Sequence, residues 1–278
     1  TLIQLEYSGF EGATVPICTF TLQKRYIEGQ KNCFIRLSDF RGAATQALKT
    51  LEAIRNRNCG WFFETLQDSL KIIPGVPIAY WISNKVRELY NENPLLGEVA
   101  SSRPGLSTTN NEKFLRNWPE VSITNLRFGC PTREAACKSG ARWFPHNKGG
   151  EFRKWYGNND FIVNWENDGQ DIRSAAEGAS GGRVVSSEYY FHESIASSAI
   201  TSSLNSYRFY PRGAVFDVNF RSIFGLSGTD RAQTLAFMNS KIVDACLAFL
   251  GPTLAMNKYD LDRVPFVAGI EFPVWQVE

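Results

Sequence analysis

The chain has 278 residues, enough for one or two domains with a sizeable hydrophobic core. Hydrophobic residues make up 43% and charged residues 21%, ordinary usage for a folded globular chain, which argues against disorder; no apolar run reaches the roughly 18 residues that would cross a bilayer, so no membrane insertion is expected. Lys and Arg number 30 against 28 Asp and Glu, a net charge of +2, so bulk charge does not announce a polyanion partner.

The opening stretches LIQLEY and VPICTFTLQ alternate with period two around Ser8 to Gly12 and predict two strands joined by a turn. CFIRL, from Cys33, predicts a third strand. From Ala43 the spacing turns helical, with Ala44, Ala47, Leu48, Leu51 and Ile54 on one stripe and Asn58-Cys59-Gly60 as the stop. IIPGVP, with Pro74 and Pro77, predicts a connector, because each proline disfavours helix at the residue before it. The division expected is therefore 1–75 and 76–278.

WISNKVRELY predicts a helix carrying Trp81, Val86, Leu89 and Tyr90, ended by Asn93-Pro94. SSRPGLSTTNNEKF follows as a polar loop with a turn at Pro104-Gly105. GAVFDVNF and FVAGIEFPV predict strands, and EGASGG at 177–182 a short flexible loop. AQTLAFMNSKIVDACLAFL predicts one helix, capped at Ser227 or Thr229 and stopped by Gly251-Pro252, that packs on the sheet. The fold class expected is mixed α/β (α+β).

Six cysteines stand at 18, 33, 59, 130, 137 and 246 without a Cys-x-x-Cys pair, which suits idle thiols in a reducing cytosol; Cys130, Cys137 and His146 match no usual metal-ligand spacing, and no metal is expected. The chain opens at Thr1 with no secretory segment, the mark expected of a piece of a longer protein.

Charge is unevenly placed. Residues 101–154 hold ten Lys or Arg against four Glu, whereas 155–193 hold two Arg against seven Asp or Glu. Such blocks either fold onto one another as salt-bridged faces or present a basic surface to a partner. In RWFPHNKGGEFRKWYGN the cations Arg142, Lys148, Arg153 and Lys154 alternate with Trp143, Phe144, Trp155 and Tyr156, and two glycines follow Lys148. Cations and bare backbone suit phosphates, and aromatic planes suit bases, although aromatics serve equally as core. The GLSTTN loop and TSSLNSYRFYPRG add further donors.

No phosphate-binding loop, dinucleotide fingerprint, nucleophile elbow or zinc-protease motif is present. His146 and His192 lie in unrelated contexts. Asp160, Glu166 and Asp168 in NNDFIVNWENDG either hold a magnesium ion, as in a nuclease, or satisfy loop backbone groups.

PIAYWISNKVRELY, LGEVASSRPGLSTTNNEKFLRNW, RWFPHNKGGEFRKWYGNNDFIVNWENDG, RFYPRGAVFDVNFRSIF and FMNSKIVDACLAFLGPTLAMNKYDLDRVP stand in an order that resembles the PglX-type adenine-specific DNA methyltransferases of BREX phage-defence systems, over almost the whole chain. The run around KGGEFRKWYGN is the most specific. LIQLEYSGF and VPICTFTLQK resemble the last strands of the methyltransferase core. The resemblance implies transfer of a methyl group from S-adenosylmethionine to the adenine amine by the parent enzyme. Here the Asn-Pro-Pro-Tyr type motif is missing, since Asn93-Pro94 continues as Leu-Leu, and so is the cofactor loop. Without them a flipped adenine would have no holder. The resemblance therefore implies an inactive segment, with no catalytic residue and no bound cofactor: 1–75 as the tail of the catalytic domain and 76–278 as the target-recognition domain.

The implied partners are double-stranded DNA, the rest of the methyltransferase chain and other proteins of the defence system, in a prokaryotic cytoplasm. The residues expected at DNA are Arg103, Ser107, Thr108, Thr109, Asn110, Lys113, Arg142, Trp143, His146, Asn147, Lys148, Arg153, Lys154, Trp155, Tyr156, Ser202, Ser203 and Arg208. Within this set Asn110 could pair with adenine and Arg103 with guanine. The alternatives are a protein-interaction scaffold using the acidic block, or a metal-dependent nuclease piece.

Overall fold

The structure, a computed structural model, describes residues 1–9, 12, 15–178, 183–200, 204–251 and 255–267. The chain divides into two compact units, Thr1–Glu92 and Asn93–Glu278. Both combine strands with helices, so the mixed α/β class is the one the chain adopts. Among the described residues no helix is long and apolar enough to cross a membrane.

In the first unit β1 (Leu2–Gln4), β2 (Cys18–Phe20), β3 (Lys31–Arg36) and β4 (Phe62–Leu66) form one sheet in the order β2-β1-β3-β4. β1 runs parallel to β3, while β2 and β4 are antiparallel to their neighbours. Leu5, Ile35, Leu37 and Ala53 make the small core. The helix α1 (Ala43–Arg55) forms where its spacing places it, but it faces the other way from the apolar stripe. Gln46 and Ala53 are buried, whereas Leu48, Leu51 and Ile54 are 68%, 48% and 60% exposed.

The cause is the Gln46 amide. It accepts from the Glu6 N–H at 3.0 Å and donates to the Tyr7 carbonyl at 3.2 Å. Two unpaired backbone groups would cost about 2–6 kcal/mol, set against about 1.5–3 kcal/mol for burying one leucine. The stretch around Pro74 and Pro77 lies within this unit, and so does α2 (Asn84–Glu92). α2 starts three residues after Trp81, because the Ser83 hydroxyl accepts from the Val86 N–H at 3.4 Å and so caps the first turn.

The second unit has α3 (Leu96–Val99), β5 (Ser101–Arg103), α4 (Asn111–Phe114), β6 (Leu115–Asn117), α5 (Arg133–Lys138), β7 (Trp143–Asn147), β8 (Phe161–Asn164) and α6 (Glu166–Glu177). After them come β9 (Ser194–Ser198), β10 (Arg208–Tyr210), β11 (Val215–Phe216), β12 (Phe220–Phe224), α7 (Gly228–Met238), α8 (Lys241–Leu250) and α9 (Lys258–Asp262). The strands make two sheets, β10-β9-β12-β5 and β11-β7-β8-β6. Side chains of both, including Phe144, Val163, Ala196, Val215, Phe216 and Phe220, share one core.

Three elements differ from the sequence reading. The polar loop expected over SSRPGLSTTNNEKF carries β5 at its start and α4 at its end, the latter capped by the Asn110 side chain. GAVFDVNF is broken after Phe216, where the Asp217 carboxylate accepts from the Asn219 N–H at 2.7 Å and turns the chain into β12. The single helix expected over 232–250 is two. Asn239 donates its side-chain amide to the Tyr207 and Leu235 carbonyls, and Ser240 caps α8 by accepting from the Val243 N–H. The strand expected in FVAGIEFPV lies outside the described residues beyond 267, as do 179–182 of EGASGG.

Candidate nucleic-acid interface

Strand direction gathers several distant segments at one end of the second unit. β7 and β11 run parallel and finish together, Val215 beside His146 and Phe216 beside Asn147. β9 finishes at Ser198 opposite Phe220, the first residue of β12. β10, antiparallel to β9, begins at this end with Arg208. β5 finishes here too, with Arg103 paired to Ser222. Main-chain bonds tie the emerging loops together. The Gly105 N–H donates to the Asp217 carbonyl at 3.2 Å, Leu106 to Phe216 at 2.7 Å, and Asp217 to Asn147 at 2.9 Å. The Trp155 N–H donates to the Tyr207 carbonyl at 3.0 Å.

The residues at this end differ in what they offer. Arg103 lies over the Tyr189 ring, 5.2 Å from its centroid. The Ser107 N–H donates to the Arg183 carbonyl, and Thr108 is buried with its hydroxyl on Asn111. Thr109 is exposed. Asn110 is exposed, and its carbonyl oxygen accepts from the Lys113 N–H at 2.9 Å and caps α4.

His146 and Asn147 are buried. Lys148 is half-buried, its Nζ 3.9 Å from the Asp217 carboxylate. Arg153 is exposed, and Lys154 donates to the Asn239 carbonyl at 2.8 Å. Trp155 and Tyr156 are 53% and 62% exposed, and Phe152, absent from the residues singled out in the sequence, joins them at 52%. The signal for Phe152 was its place in the same run. Arg208 is wholly buried: Nε donates to the Tyr210 hydroxyl at 2.9 Å and Nη1 to the Arg153 carbonyl at 3.2 Å, so its contacts are internal and it braces the loop rather than reaching a partner. Ser202 and Ser203 lie outside the described residues.

Lys113, Arg142 and Trp143 are not part of this gathering. β7 begins at Trp143 opposite Asn164, and β6 begins at Leu115 opposite Val163, so these residues stand at the other end of that sheet. Trp143 is buried, with Arg116 and Arg142 5.7 and 5.6 Å from its ring. Close by, a hollow of about 690 Å³ is lined by Leu126, Phe128, Cys130 and Lys138 among others. Arg116 and Arg127 at this end were not singled out from the sequence.

The charge blocks meet in part. Arg133 pairs with Asp168 through two nitrogens, Arg173 reaches the same carboxylate at 3.2 Å, and Arg142 lies 3.9 Å from Glu166. Asp168 is thereby neutralised by two guanidinium groups. Among the described residues no three His, Cys, Asp or Glu side chains are grouped as metal ligands. None of the six cysteines is joined in a disulfide.

His146 is pushed down by burial, with Asp217 pulling the other way. Burial would raise Asp217, but the imidazole, the Asn219 N–H and Lys148 outweigh it and hold the carboxylate below its ordinary range. The Pro94 carbonyl accepts from the Phe266 N–H, the Leu96 N–H donates to Val264, and the Leu96 side chain is buried.

Comparison with known proteins adds an independent finding. A protein named adenine-specific methyltransferase PglX from Lacticaseibacillus casei (strain Zhang) is 36% identical over 248 residues, which cover 87% of this chain and 20% of that protein. One named adenine-specific methyltransferase BrxX from Escherichia coli O9:H4 (strain HS) is 31% identical over 264 residues, covering 94% of this chain and 20% of that protein. No protein-family model matches. The chain spans about a fifth of the length of the curated relatives it matches.

Proposed function

We propose that this chain, a homologue of one stretch of the PglX-type adenine-specific methyltransferases, is the segment with which such an enzyme grips duplex DNA and chooses its sequence. The second unit would carry recognition. The first would belong to the catalytic domain, whose tail is expected over 1–75, and its outward leucines and exposed β2 suit a surface covered by the rest of that domain. S-adenosylmethionine would bind elsewhere in the parent. The reaction served would be methylation of adenine in a phage-defence setting.

The observation that carries this reading is the convergence of Arg103, the 105–110 loop, Lys148, Arg153 and the exposed Phe152, Trp155 and Tyr156 at one end of the second unit. Cations position a duplex through its phosphates, while aromatic planes and loop amides meet bases. In the parent methyltransferase, the segment would be exchanged for the matching stretch of a relative and the methylated adenines mapped by sequencing. The methylated motif is expected to become that of the donor; an unchanged motif would overturn the reading.

A further inference from the structure

We infer that Trp155, with Tyr156 beside it, is a stacking wedge that inserts against a base step of the bound duplex, a role that rests on the duplex-binding reading of the same end of the second unit.

Among the described residues of this unit Trp143, Trp165, Tyr190, Tyr207 and Tyr210 are buried, and Trp118, Phe128 and Tyr259 are exposed at separate places. Phe152, Trp155 and Tyr156 differ from these in being three exposed rings on one short loop. A single exposed aromatic needs no explanation, but a cluster marks a surface that something covers.

Trp155 is also held in a conformation that bulky residues avoid. Its φ is 76°, in the left-handed region where Cβ crowds the following carbonyl and where glycine would sit without penalty. The conformation persists because both backbone groups are clamped to β10. The N–H donates to the Tyr207 carbonyl at 3.0 Å, and the carbonyl accepts from the Phe209 N–H at 2.9 Å. Beneath the clamp the buried Arg208 guanidinium holds the Arg153 carbonyl. Burying a guanidinium is costly, and here it is used to fix the main chain under an exposed ring. Strain retained around an exposed side chain is the pattern of a functional position.

The surroundings select the occupant. The exposed Arg153 stands on the same loop as the rings, and Lys148 lies where β7 leads into that loop; apolar planes and cations on one loop match a base stack and its phosphates. Gly157 follows at φ 130°, a backbone conformation that side-chain-bearing residues rarely adopt. An acidic or apolar protein surface would meet the cations or the rings, but would give no reason for exposed aromatic planes beside cations able to neutralise phosphates.

The test uses the full 278-residue chain and a short duplex enriched by it from a random pool, with 2-aminopurine moved through successive positions. Wild type is expected to unstack one step, seen as a fluorescence rise at that position. Trp155→Ala should abolish the rise and weaken binding by about 5- to 150-fold, as loss of one stacked base does. Trp155→Phe should keep part of both. The salt dependence of binding should stay as in wild type, because no phosphate contact is removed. A thermal melt matching wild type shows that the exposed ring is not holding the fold. Binding without any step-specific rise, or a rise undiminished in Trp155→Ala, overturns the wedge and leaves duplex binding standing. No binding at low salt by folded wild type overturns both.

Discussion

His146 faces Asp217 from the end of β7, its Nε2 3.6 Å from Oδ2, with the imidazole wholly buried and Lys148 3.9 Å from the same carboxylate. Asp217 is tied through its main chain to Gly105 and Asn147, so the pair lies at the end of the unit that we assign to DNA.

Acid should therefore loosen this end. His146 titrates below its ordinary value when folded and Asp217 is also lowered, so in each case the unfolded chain takes up the proton first. Stability is then full above about pH 6.5 and falls as pH drops below the ordinary histidine value, with a second fall near the carboxylate range of about pH 4. Thermal melts from neutral pH down to about pH 5 should show a declining midpoint in wild type. The decline should flatten in His146→Gln, and an equal decline in both would contradict the assignment.

Gly105 is packed against main chain, and a Cβ there would lie 2.0 Å from the Phe216 carbonyl oxygen. Gly105→Ala must push β11 and the loop apart, breaking the bonds from Gly105 and Leu106 to Asp217 and Phe216. Overpacking of this kind costs about 1–3 kcal/mol. Chemical denaturation is expected to show a loss of that size, together with weaker DNA binding.

The outward stripe of α1 gives an opposite expectation. Leu48→Ser and Leu51→Ser should change the stability of this chain by no more than about 0.5 kcal/mol, as exposed positions do. Gln46→Leu should destabilise it by about 2–6 kcal/mol, because the Glu6 and Tyr7 backbone groups lose their partner. Denaturation of the three variants decides which face of the helix supports the sheet.

What could be read from the sequence follows from which features are local. The period of α1 identifies a helix, but the face it buries depends on Gln46 meeting Glu6 and Tyr7, about forty residues away. The break after Phe216 was legible in Asp217 and Asn219, which build such turns, yet the alternation on either side read as one strand. In the 142–156 run, Trp143 and Phe144 fall on β7 and enter the core, while Trp155 and Tyr156 stand on a loop whose backbone is fixed by Tyr207 and Phe209. Pairing at that distance leaves no periodicity in the sequence. The same holds for Arg208, whose buried guanidinium reads in sequence like any other cation beside a polar loop.

The most direct measurement is fluorescence anisotropy of the chain with a mixed-sequence duplex over a series of salt concentrations. Affinity should fall linearly in log salt for wild type, and Arg153→Ala and Lys148→Ala should each lower the slope by about 1, as losing one phosphate contact does. Arg142→Ala, at the other end of its sheet and beside Glu166, should keep the wild-type slope. Slopes unaltered in Arg153→Ala and Lys148→Ala, or a duplex that does not bind at low salt, would contradict the assignment of this end of the second unit to DNA.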